Sequence, residues 1–364
     1  MIPLLLAVVV ATAQAASPAA IEADAWRAVQ ERRAADAERL FHELTSRRPD
    51  DARAWLGYAA AALLAGRDAD ARPRLERALA IDPARADAAL LLSDVFYRQG
   101  RAADAIRVLE RAAAAGAADS ALAGRLARLR AEQDLHAGFN QSNSARFTVL
   151  FEGPPEQSLA DAVIADLDAA WDRIAATLYA PPAGPITVTL YTERQFTDIT
   201  RAPAWAAAAY DGRIRVPMRG ALADRAELTR VLTHELAHAF VRASAPRNVP
   251  TWLDEGIASV VEPRDLEWAR AEVRAAGRLL PPSALGRSFR SLGGDDARLA
   301  YAQSALLVAA MLERHPPGAL NALLADLGRG VPFDTAFRSR MYESFEAFVG
   351  RFAAALGVPY DGAG

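Results

Sequence analysis

The sequence predicts an α+β protein in two parts, an all-α helical-repeat solenoid followed by a mixed domain that ends in a helical lobe. Residues 18–135 are alanine-rich and repeat with a period of 34. After residue 143 the apolar pattern changes from helical to alternating, and from residue 263 it returns to helical segments separated by Pro and Gly pairs. A chain of 364 residues with 52% hydrophobic and 24% charged residues is long and apolar enough for two cores. Its boundaries read as a leader over 1–16, repeats over 18–135, a first lobe over 144–262 and a helical lobe over 263–364.

Residues 4–13, LLLAVVVATA, form an apolar run of ten before Ala13-Gln14-Ala15, a small-x-small cleavage pattern. The run is too short to span a bilayer and reads as a secretory signal, so the mature chain is expected to begin near Ala16 or Ser17. That makes the protein exported, periplasmic or secreted, with no integral membrane segment in the mature chain. The absence of cysteine removes a disulfide frame, a thiol nucleophile, a thiolate metal site and a lipoprotein anchor. A net charge of −3 offers no basic face for nucleic acid. All 42 basic residues are arginine.

In the repeat segment Ala37, Ala71 and Ala105 recur at the 34-residue step, as do Phe41, Leu75 and Leu109. Gly66 with Gly100, Pro49 with Pro83, and Trp55 with Ala89 keep the same offset. Small residues where helices cross and Pro at the repeat end resemble tetratricopeptide repeats. The first repeat, over 18–51, is degenerate, and 119–135 reads as a closing helix over the last apolar face.

Asn140-Gln141-Ser142-Asn143 reads as a polar linker. Phe147, Val149 and Phe151 then alternate as a half-buried strand should, and so do Ile186, Val188 and Leu190. Between them a helix opens near Ser158, with the stripe Leu159, Val163, Leu167, Trp171, Ile174 and Leu178. Tyr210-Asp211-Gly212-Arg213 marks a hairpin turn. The final helices are expected near 264–279, 296–314, 317–328 and 343–356.

The chemistry concentrates in 231–258, VLTHELAHAFVRASAPRNVPTWLDEGIA. Asp224 and Glu227 form a capping pair for a helix whose apolar positions include Leu228, Leu232, Leu236 and Phe240. On that helix His234 and His238 lie one turn apart on a shared face, the spacing that grips one zinc ion, with Glu235 between them. After breaks at Pro246 and Pro250, Thr251 with Asp254 reads as the cap of a second helix carrying Glu255, which would complete a His, His, Glu set with one open position.

HELAH followed by TWLDEGIASVVE resembles the gluzincin zinc peptidases of the peptidase-MA-like type, from about Arg146 to the C-terminus. The resemblance implies a thermolysin-like catalytic domain with His234, His238 and Glu255 as zinc ligands and Glu235 as general base. It also implies a sheet edge at Ile214–Pro217 that pairs with extended substrate, and a tyrosine at Tyr301 that donates to the oxyanion. Tyr301 reads equally well as a packing residue. His42, His136 and His315 read as surface or packing histidines.

The expected protein is an exported zinc peptidase acting on a peptide or protein substrate, with a repeat groove that holds a protein partner. On this reading the repeats are a recruiting arm, and removing 18–135 spares cleavage of short peptides. Two other readings fit the same residues: a periplasmic binding or assembly factor with a vestigial zinc site, and a zinc amidase acting on cell-wall peptide.

Overall fold

The computed structural model describes residues 17–153, 157–192, 209–210, 212–217, 224–246, 248–286, 288–316 and 318–360. They form two compact units that divide after Pro83. The leader over 1–16, Asp211 of the expected turn and the last four residues lie outside the described residues.

Helices α1 (Pro18–Gln30), α2 (Ala34–Arg47), α3 (Ala52–Leu64) and α4 (Asp68–Ile81) make two helical hairpins in the first unit. The third pair, α5 (Ala86–Arg98) and α6 (Ala102–Ala114), and the closing helix α7 (Ser120–His136) belong to the second. Helix starts at 18, 52, 86 and 120 keep the 34-residue step throughout. Ala37, Ala71, Ala105, Phe41, Leu75 and Leu109 are all fully buried, as residues at helix crossings must be. The first repeat is degenerate in sequence for a visible reason. Gly66 and Gly100 turn the chain with φ of 73° and 75°, and the equivalent residue of the first repeat is Arg32 at φ 58°. The turn is conserved in shape while the residue that signals it is lost.

In the second unit, strands β1 (Asn140–Asn143), β2 (Phe147–Phe151), β3 (Ile186–Tyr191), β4 (Ala209–Tyr210) and β5 (Ile214–Pro217) form a sheet in the order β1-β2-β3-β5-β4. β2, β3 and β5 run parallel, and β1 and β4 are antiparallel additions. Two expectations change here. The polar linker at Asn140–Asn143 is a strand, because its backbone pairs with β2 and an outer strand can leave polar side chains in water. Ile214–Pro217 is not an edge among the described residues, because β4 pairs outside it. The expected hairpin does form, with Gly212 at φ 107°.

One face of the sheet buries Phe147, Val149, Phe151, Val188, Leu190, Ile214 and Val216 in a core shared with α8 (Gln157–Ala175) and α9 (Arg225–Ser244). Trp171 of α8 bridges these layers, edge-on to Phe147 at 5.8 Å and to Phe240 at 4.8 Å. The alternation predicts a wet second face, yet Thr189, Tyr191, Arg213 and Arg215 are buried. Side chains of α5 and α7 meet that face, so β3 and β5 lie between two helical layers.

The remaining helices are α10 (Thr251–Val260), α11 (Glu267–Ala276), α12 (Pro282–Leu285), α13 (Gly294–Arg314), α14 (Ala319–Gly328), α15 (Phe333–Met341) and α16 (Phe345–Leu356). α15 is the one substantial helix the breaker pattern hides, although Ala336, Phe337 and Met341 bury one side of it. Two glycines let backbones touch. A Cβ on Gly256 of α10 would lie 2.4 Å from the carbonyl oxygen of Ser304 in α13. One on Gly328 of α14 would lie 2.4 Å from that of Ser244 at the end of α9. Among the described residues no helix is long and apolar enough to cross a membrane.

Candidate active site

Helix α9 begins as its sequence dictates, with the Asp224 carboxylate accepting from the Glu227 amide at 2.9 Å. Leu228, Leu232, Leu236 and Phe240 face the core, which turns His234 and His238 toward α10. Their rings lie 5.0 Å apart at 80° to one another. Helix α10 starts after Pro250, which is extended at φ −60° and ψ 145° and supplies no side-chain cap. It passes close to α13 at Gly256, and the neighbouring Glu255 meets both histidines.

Glu255 Oε2 lies 3.3 Å from His234 Nε2 and 3.8 Å from His238 Nε2. One donor atom from each of the three residues falls within 4.8 Å of the others. A tetrahedral ion about 2.0–2.1 Å from each donor separates its ligands by roughly 3.4 Å, so this set fits one. The other ring nitrogens are already engaged. His234 Nδ1 is 2.8 Å from Glu262 Oε1, and His238 Nδ1 is 2.8 Å from Asp254 Oδ1. A proton held at each Nδ1 by a carboxylate makes Nε2 the nitrogen that would face an ion in the shared space once its own proton is displaced.

Asp254 is thus not the cap that the Thr251–Asp254 spacing suggests. The backbone at Pro250 opens the helix without a cap, and the carboxylate turns to His238 instead. Glu262, at the end of SVVE, went unforeseen. It is 5% exposed and holds Arg230 at 3.0 Å and Arg264 at 2.6 Å as well as His234. A carboxylate in an apolar stretch just beyond α10 is the signal that points to it. Gly256, next to Glu255, also escapes a reading based on donors alone.

The electrostatics follow from burial against charge. Burial alone would lower both imidazoles. Glu255 and Glu262 outweigh it at His234 and hold it up at about 10, while Asp254 and Glu255 hold His238 at about 9. Glu235 is 8% exposed. Burial pushes its carboxyl up, against the pull of His238 and His234. Burial opposes ionisation of Asp254 and Glu262 too, but their imidazole partners win and keep both low.

The remaining sequence-predicted residues make contacts of their own. Tyr301 of α13 packs edge-on to Phe289 at 5.2 Å. His42 meets Tyr58 Oη at 3.3 Å, His136 meets Tyr191 Oη at 2.7 Å, and the His315 ring faces Phe348 at 6.3 Å.

Residues 169–347 match the model of the Peptidase MA superfamily. This region is a Peptidase MA superfamily domain. Two tetratricopeptide-repeat models match residues 23–84 and 62–129, so repeats stand N-terminal to the peptidase-type domain, as their period implies. A search of curated proteins finds no match.

Proposed function

We propose that this chain is an exported zinc-dependent peptidase whose repeats engage a substrate or partner protein. The observation that supports it most is the convergence of His234 Nε2, His238 Nε2 and Glu255 Oε2, each imidazole being backed by a carboxylate at its other nitrogen. A thiolate-free set of two imidazoles and one carboxylate suits zinc with a coordination position left open. When bound, zinc acidifies a water and polarises the scissile carbonyl.

The protein's own groups do the rest. Glu262 and Asp254 hold the imidazole protons at Nδ1, which keeps both Nε2 atoms basic and oriented. Glu235, raised by burial, accepts the proton of the attacking water and returns it to the leaving amine.

A base that is not a ligand can be neutralised without emptying the site. Glu235→Gln is therefore expected to keep about one zinc per chain by elemental analysis and to lose peptide release from a mixed protein substrate by about 10²–10⁴-fold. Undiminished hydrolysis in that variant removes Glu235 from the mechanism. Wild type that binds zinc but cleaves nothing favours a binding or assembly role. Export is part of the same proposal and rests on residues 4–15. N-terminal sequencing of protein from the producing cells is expected to begin near Ala16 or Ser17, and an intact Met1 overturns that part.

A further inference from the structure

On the face of the sheet opposite α9, a second buried polar cluster joins the third repeat to the peptidase-type domain. Glu132 of α7 is 6% exposed, and Arg213 and Arg215 of the β4–β5 hairpin are 7% and 3% exposed. Arg215 donates to Glu132 Oε1 at 3.1 Å and to the Tyr97 hydroxyl, and Tyr97 of α5 in turn donates to Glu132 Oε2 at 2.6 Å. The Arg213 guanidinium lies 3.8 Å from Glu132 Oε1, 4.9 Å from the centre of the Tyr97 ring, and donates to the Gly100 carbonyl at 3.3 Å. Burial opposes ionisation of Glu132, yet Arg215, the Tyr97 hydroxyl and Arg213 hold its carboxyl below the ordinary range. Beside them His136 of α7 bonds and stacks on Tyr191 at the end of β3. At the hairpin, Gly212 comes so close to α5 that a Cβ would lie 3.3 Å from the Arg98 Cα.

The same strand reaches the other way. Side chains alternate along β5, so while Arg213 and Arg215 turn to α5 and α7, Ile214 and Val216 enter the core that holds Leu232 and Leu236 of α9. β5 and β4 both pack on α9, the helix of His234, Glu235 and His238.

We infer that Glu132 is a positioning residue for the peptidase site. By clamping Arg215 it seats β5 against α9, which makes the third repeat and the closing helix part of the active-site scaffold rather than a detachable recruiting arm. This rests on the peptidase reading for its activity arm and on the fold alone for its exchange arm. It also reverses the expectation that removing 18–135 spares cleavage, because that deletion takes away α5 and nearly all of α7 and with them the cover and the anchor of β5.

The test uses the full chain carrying Glu132→Gln, and the double variant Glu132→Gln with Arg215→Gln, which removes both charges of that pair, leaves Arg213 its bond to the Gly100 carbonyl, and so disturbs the fold less than the single variant does. In both, amide hydrogen exchange is expected to rise at least tenfold in residues 214–217 and 225–244 while staying unchanged in 18–83. Zinc content stays at the wild-type value, and kcat/KM on fluorescein-labelled casein falls at least tenfold. Faster exchange confined to α5 and α7, or wild-type kcat/KM in a folded double variant, overturns the positioning role. If wild type itself does not cleave casein or a mixed peptide library, the peptidase reading fails, and unchanged exchange in β5 and α9 then refutes the clamp independently.

Discussion

The second unit holds two polar clusters, one between the sheet and α5 and α7 and one between α9 and α10, and their charge balance sets them apart. Around Glu132 two guanidiniums and a phenol surround a single carboxylate, so its oxygens are satisfied by protein groups. Around His234 and His238 the balance is reversed. Glu235, Asp254, Glu255 and Glu262 crowd two imidazoles, with Arg230 and Arg264 drawn off to Glu262. A buried cluster that closes on itself holds elements together. One that gathers carboxylates and basic nitrogens around a shared space has a donor set that can hold a cation. Burial points the same way, since Glu132, Arg213 and Arg215 are buried while His234, His238, Asp254 and Glu255 keep part of their surface open.

The widest gap between the two clusters should appear on truncation. Glu132→Ala leaves Arg215 buried without its carboxylate and is expected to cost about 3–5 kcal/mol of stability, read as a lower denaturant midpoint. Glu255→Ala at the other cluster removes a carboxylate from an acid-rich set and serves as the control. An equal loss in both variants erases the distinction drawn from charge balance.

A smaller effect separates carboxylates that bind from those that orient. Glu262→Gln keeps a hydrogen-bond acceptor for His234 Nδ1 but removes the charge, and it is expected to weaken zinc by about 10–100-fold in chelator competition. Glu132→Gln is expected to leave zinc affinity unchanged. A zinc affinity that ignores Glu262→Gln takes that residue out of the metal site.

The gentlest probe is pH on chelator-treated protein. His234 and His238 stand at about 10 and about 9 in the folded metal-free chain, above the ordinary histidine value of 6.5. The native state therefore binds more protons than the unfolded one between 6.5 and those values. The stabilisation is full below pH 6.5 and is lost as pH rises through 9 to 10. Glu235, raised by burial, acts with the same sign. The Glu132 carboxylate adds nothing in this window, because Arg215, the Tyr97 hydroxyl and Arg213 hold it low against its burial. The denaturant midpoint should fall from pH 6.5 to 10 without metal, and a flat profile contradicts the proton-holding role of the site's carboxylates.

What the sequence settles by itself is local. The 34-residue step places every repeat helix, because each turn and crossing is decided by residues within one repeat. HELAH brings two imidazoles to one face because an α-helix fixes which residues share it. Glu255 is legible because the ligand chemistry calls for a third donor and TWLDEG supplies one soon after the break. Tertiary structure decides what depends on a partner far along the chain. Asp254 looks like a cap until His238 is seen beside it, and Glu262 looks like the end of a helix until it meets His234, 28 positions earlier. Gly256 matters only because Ser304 crosses it. Arg215 and Glu132, 83 positions apart, look like two surface charges until α7 covers the sheet. A buried polar group is stable only with its partners around it, and those partners are chosen by packing in space, which no local period records.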